Sequence, residues 1–116
     1  MGPKVQASLE SLSATDLEAL RLSSQVLAHK AAMAALPRVA MFFSSVESEA
    51  VVETAARGQR GQRAEQAADP WRTAPLTPVD RAAIAAYLEL LANNAGLSPA
   101  VRDYAAQLLK ARSAFG

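Results

Sequence analysis

Prolines at 37, 78 and 99 set the punctuation of this chain, because a proline is tolerated at the first position of a helix but not inside one. From Thr15 to Leu36 there is neither glycine nor proline, and Ser13-Ala14-Thr15-Asp16 stands before it with Glu18 three residues after Thr15, the spacing of a capping box. This predicts a first helix starting near residue 15 and ending or kinking at Pro37, with Leu9 and Leu12 in a short preceding turn. A second helix follows over about 37–57. Arg57-Gly58-Gln59-Arg60-Gly61-Gln62-Arg63 then repeats a glycine-containing triplet, and Asp69-Pro70-Trp71-Arg72-Thr73-Ala74-Pro75 carries two prolines, so 58–77 reads as loop and linker. Thr77-Pro78 and Ser98-Pro99 each pair an N-cap residue with proline at the first helical position. They predict a third helix from Pro78 to about Asn94, a turn closed by a left-handed Gly96, and a fourth helix from Pro99 to near Ala114.

Composition agrees with helices throughout. The 116 residues include 27 alanines and 14 leucines against 8 valines and 1 isoleucine, a mix rich in helix formers and poor in strand formers. The expected architecture is all-α: a four-helix bundle-like single domain over 1–116, with two longer N-terminal helices (15–57) that turn or kink at Pro37 and a C-terminal αα-hairpin (78–115). The prevalence of arginine over lysine, nine to three, beside the alanine excess suggests a bacterial source.

At 100° per residue, Leu17, Leu20, Ser24, Leu27, Ala28 and Ala31 share one stripe of the first helix, while Leu22, Val26, His29, Met33 and Leu36 form another nearly opposite. The second helix repeats the duality. Val39, Phe43, Val46 and Ala50 make a face of larger residues, and Met41, Ser45, Ser48, Val52 and Ala55 make a second face of smaller ones. Helix three gathers Val79, Ala83, Ile84, Tyr87, Leu88, Leu90 and Leu91 on one broad side, and helix four does so with Val101, Tyr104, Ala105, Leu108 and Phe115. A helix apolar on two sides either runs through a bundle or turns its second side toward another chain. With six aromatics for core, the second option is favoured, and Leu22, Val26, Met33, Met41, Ser45, Ser48 and Val52 are the candidate interface of a homodimer or of a complex with another helical protein.

Chemistry has little to stand on. The absence of cysteine removes disulfides, thiolate nucleophiles and cysteine-ligated metals, and no glycine-rich phosphate loop, paired-histidine metal motif or Glu-x-x-His pair is present, so no catalytic residue, metal or cofactor is expected. Twelve basic and eleven acidic side chains leave a net charge of +1, too weak a field to announce nucleic acid or membrane by itself. The most apolar stretch, 31–43, is broken by Pro37 and Arg38, and the first residues lack an apolar leader, which favours a cytoplasmic protein with no membrane partner.

Two local motifs define alternatives. Ala28-His29-Lys30-Ala31-Ala32-Met33 resembles the helix of histidine phosphotransfer domains, all-α bundles of this size, and implies phosphoryl transfer at His29. That family usually has lysine three residues after its histidine and a small residue at the fourth, where this chain has Ala32 and Met33. The spacing otherwise suits a packed or boundary histidine. The segment 88–108 resembles a bacterial helix-turn-helix in the placement of Ala92, Gly96, Leu97 and Ser98, which implies a DNA-binding regulator with Arg57, Arg60, Arg63 and Arg102 as candidate nucleic-acid contacts. Arg102 stands where an apolar residue is expected, and Trp71 reads as an anchor for the linker.

Overall fold

A computed structural model describes residues 9–57 and 76–115 of the protein, with side chains to Ala111. It forms four helices, α1 (Ala14–Met33), α2 (Pro37–Arg57), α3 (Pro78–Ala92) and α4 (Pro99–Phe115), with no strand among the described residues. The loop expected over 58–77 falls outside them except for Leu76 and Thr77. So do Arg60, Arg63 and Trp71, as does the side chain of Phe115.

The helix starts follow local chemistry. Ser13, not Thr15, caps α1: its extended backbone lets Oγ accept the Asp16 N–H at 3.0 Å while the Asp16 carboxylate accepts the Ser13 N–H at 3.4 Å. The capping box therefore lies two residues before the Thr15–Glu18 register, and Glu18 is left to pair with Arg21. Thr77 and Asp80 form the same reciprocal pair at α3, at 3.0 and 3.1 Å, which accounts for a buried aspartate there. At α4, Ser98 Oγ accepts the Val101 N–H at 3.3 Å. The Ser98 hydroxyl lies beside the Asp16 carboxylate and is the main reason it sits below the usual carboxylate range, with the Ser13 cap adding to the effect.

The turns are tighter than the sequence suggests. α1 stops at Met33, three residues short of Leu36, in a Schellman closure in which Leu36 N–H reaches Ala31 O at 2.9 Å and Ala35 N–H reaches Ala32 O at 3.1 Å. The left-handed position of that motif is filled by alanine: Ala35 has φ 61°. Pro37 then opens α2. After α3, which ends at Ala92, Gly96 does not enter the left-handed region; instead the Asn94 side chain accepts Gly96 N–H at 2.8 Å and the Asn94 carbonyl accepts Leu97 N–H at 3.0 Å. An asparagine turn does the work assigned to glycine.

Packing is densest between α1 and α2 and next between α3 and α4, with lighter contacts from α2 to α3 and from α1 to α4. The expected core stripes are buried: Leu17, Leu20, Ser24, Leu27 and Ala31 on α1, Val39, Phe43, Val46 and Ala50 on α2, Ile84 and Leu88 on α3, and Val101, Tyr104, Ala105 and Leu108 on α4. Phe42, assigned to neither face of α2, is fully buried beside Phe43, edge-on at 4.9 Å between ring centroids, and Phe43 meets Tyr87 of α3 at 5.8 Å. α3 corrects the sequence expectation. Val79 and Leu90 are 67% and 60% exposed, because the helix buries only the narrow stripe Asp80, Ile84, Leu88 and Leu91.

Three outcomes follow for stability. Ala35→Gly relieves a left-handed alanine at an exposed site and raises stability by roughly 0.5 to 1 kcal/mol in urea unfolding, after the greater chain entropy of glycine is counted. Ser24 Oγ is buried without a hydrogen-bond partner among the described residues, so Ser24→Ala raises the melting temperature, by about 1 kcal/mol of stability. Because Asp16 has its folded pKa lowered, its contribution is present above the unfolded carboxylate pKa and is lost as pH falls through the folded one. Asp16→Asn therefore melts earlier than the parent at pH 7, and the gap closes on acidification below about pH 4.

Candidate interaction face

The buried positions of α1 recur at 17, 20, 24, 27 and 31, which places 22, 26, 29 and 33 on the opposite side of the helix. On α2 the buried positions 39, 42, 43, 46, 50 and 53 leave 41, 45, 48 and 52 opposite. Both second stripes point away from the core. Leu22, Val26 and Met33 are 46%, 58% and 75% exposed, and Met41 and Val52 are 51% and 46% exposed. Ser48 is exposed and Ser45 half-buried. Val51, not singled out from the sequence, adds a further exposed valine, one residue and so 100° around the helix from Val52.

Ion pairs fix how the two helices stand. Arg21 grips Glu18 through two bonds, Nε to Oε1 at 3.0 Å and Nη2 to Oε2 at 2.7 Å, and its Nη1 lies 3.8 Å from Glu47 Oε2 on α2. The bond with Arg21 holds the Glu18 carboxyl below its ordinary range and raises the Arg21 guanidinium above its own. Arg57, at the far end of α2, binds Glu53 Oε2 through Nε at 3.1 Å and donates Nη2 to the carbonyls of Leu9 and Glu10 at 3.1 and 3.4 Å. The start of α1 is thus pinned to the end of α2, while the 34–36 turn joins their other ends. The pair runs antiparallel, and each helix keeps its second stripe exposed.

The remaining candidates lie elsewhere. Arg57 spends its guanidinium on the Leu9–Glu10 turn, and Arg102 donates Nε to Leu97 O at 3.2 Å, so both serve local structure. His29 is exposed, not packed, in the same stripe as Val26 and Met33. Its neighbours at helical spacing are Gln25, Val26, Ala32 and Met33, none of which can orient an imidazole as a carboxylate does. Among the described residues no cluster of three histidine, aspartate or glutamate side chains is placed to hold a metal. An open recess of about 480 Å³ lies beside the end of α3, lined by Ala86, Glu89, Leu90, Asn93 and Asn94, with one carboxylate and no base or nucleophile facing it. No helix among the described residues is long and apolar enough to cross a membrane.

What the outer stripes of α1 and α2 offer is therefore contact area: leucine, valine and methionine side chains, with serines between them on α2 that let another backbone approach. No protein-family model, curated protein or solved structure matches this chain.

Proposed function

We propose that this is a non-enzymatic helical interaction protein, bundle-like with α3 and α4 as a hairpin, that associates with a second copy of itself through the outer face of α1 and α2. The reading is carried by one observation: five large apolar side chains, Leu22, Val26, Met33, Met41 and Val52, stand exposed at helical spacing on two helices that are already locked together. Isolated exposed apolar residues are ordinary on protein surfaces. An ordered stripe on each of two adjacent helices is not, and marks a surface meant to be covered.

Dimensions support a second copy as the cover. Helices of 20 and 21 residues are about 30 Å long and together about 20 Å wide, a face able to give the roughly 800 Å² per partner that stable pairs use. In a two-fold pair every contact occurs twice, so a modest patch yields a full interface. A cytoplasmic setting belongs to the same proposal.

Light scattering coupled to size exclusion is expected to give a dimer at micromolar concentration, unchanged by duplex DNA at low or high salt. Val26→Glu is expected to weaken it at least tenfold, about 1.4 kcal/mol, with helicity by circular dichroism retained. A parent chain that stays monomeric across the micromolar range, or a Val26→Glu chain that dimerises as before, removes the proposal. A monomer that shifts only with DNA at low salt hands the function to the nucleic-acid alternative.

A further inference from the structure

The α1–α2 and α3–α4 turns are built from opposite materials. Asn93-Asn94-Ala95-Gly96-Leu97-Ser98, between α3 and α4, has the asparagine, glycine and serine that water-facing turns use. Between α1 and α2, Ala31-Ala32-Met33-Ala34-Ala35-Leu36-Pro37 has no polar side chain in seven residues, and Ala32, Met33, Ala34, Ala35 and Pro37 are all exposed. Met33, at 75%, is the most exposed large apolar side chain among the described residues. Lys30 and Arg38 stand on either side, both exposed, and neither forms an ion pair among the described residues.

Two local choices at this turn cost stability and point the same way. Ala35 holds φ 61°, a conformation that glycine or asparagine takes with less strain, yet this exposed position carries a methyl group. Arg38 lies in the first turn of α2, the end of a helix that favours anions, and that turn has no acidic residue. Local rules broken at an exposed site mark where function is to be sought. The backbone is also suited to a medium poor in water. Ala34 N–H donates to Lys30 O and Ala31 O at 3.0 and 3.1 Å, Ala35 N–H to Ala32 O at 3.1 Å and Leu36 N–H to Ala31 O at 2.9 Å, while Pro37 has no N–H to satisfy.

We propose that the α1–α2 turn is a lipid-contacting tip: Met33, Ala34 and Ala35 enter the boundary between headgroups and acyl chains of an anionic bilayer, and Lys30 and Arg38 rest on its headgroups. A short reversal between two antiparallel helices is convex, and a deformable surface covers a convex tip more fully than a folded protein does. The expectation of no membrane partner rested on the lack of a spanning or leader segment, and contact at the surface needs neither. Lipid contact at this turn stands or falls separately from self-association.

Flotation of the full chain with vesicles is the test. Binding to phosphatidylcholine mixed with phosphatidylserine is expected to exceed binding to phosphatidylcholine alone by about tenfold or more, since each cation at an anionic surface contributes about fivefold. Lys30→Gln and Arg38→Gln each weaken it about fivefold, and Met33→Gln about tenfold. Ala35→Asn suits the left-handed turn, so it melts no earlier than the parent, yet its amide lowers vesicle binding severalfold. The chain has no cysteine, so an environment-sensitive dye on Ala34→Cys is expected to shift to the blue on the mixed vesicles, and the same dye on Ala95→Cys, in the polar turn, is not. No binding to the mixed vesicles overturns the proposal, as does equal binding to both kinds, or unchanged binding by Met33→Gln and Ala35→Asn. If the parent binds no vesicle and Ala35→Asn loosens a dimer seen by light scattering, the turn is a contact between copies and the lipid tip falls.

Discussion

Everything distinctive about this molecule depends on α1 and α2 being held at both of their ends. At one end the chain reverses within Ala34–Leu36, closed by two backbone bonds onto Ala31 and Ala32 and bought with an alanine in a left-handed conformation. At the other, Arg57 reaches across 48 residues of sequence to the carbonyl of Leu9 while Arg21 bridges to Glu47. An isolated exposed ion pair contributes little to stability. Here the guanidinium also satisfies carbonyls ahead of a helix start, so its effect is geometric: it keeps the two helices in register over their full length.

That register explains the surface. Each helix buries one stripe, and with the register fixed the unburied stripes cannot rotate inward to find cover from the other two helices. α3 and α4 complete the core through aromatic contact, Phe43 against Tyr87, and through Val101, Tyr104 and Leu108. They do so from the side opposite Leu22 and Val26.

The number and type of helices, their starts at Pro37, Pro78 and Pro99, and the main core stripes were legible because proline position, caps and 3.6-residue periodicity are local signals. The double face of α1 and α2 was legible for the same reason. What sequence did not disclose depended on three-dimensional competition. Ser13 and Thr15 are both good caps, and which one prevails is set by whether Asp16 or Glu18 is free to answer; Arg21 claims Glu18. Gly96 looked like the left-handed closer, yet the adjacent Asn94 side chain closes the turn without it, and the position that does become left-handed is Ala35, where alanine gives no cue. Phe42 and Leu90 show the limit of periodicity: how wide an arc is buried depends on how many neighbours a helix has, which no single helix encodes. For the candidate face, the residues were legible from their periodicity, while Val51 beside them was not. Arg57 and Arg102 bore the right charge for a nucleic-acid surface, but their use as carbonyl donors is a tertiary fact.

The carboxylate of Asp16 belongs to the start of α1 and borders the start of α4. It accepts the Ser13 N–H at the head of one helix and lies beside the Ser98 hydroxyl at the head of the other, which holds it below the usual carboxylate range. Helix ends ordinarily fray one at a time, as independent low-energy openings. In this fold acid acts on two of them at once, because protonating Asp16 weakens both the Ser13 cap of α1 and the carboxylate's polar contact with the head of α4.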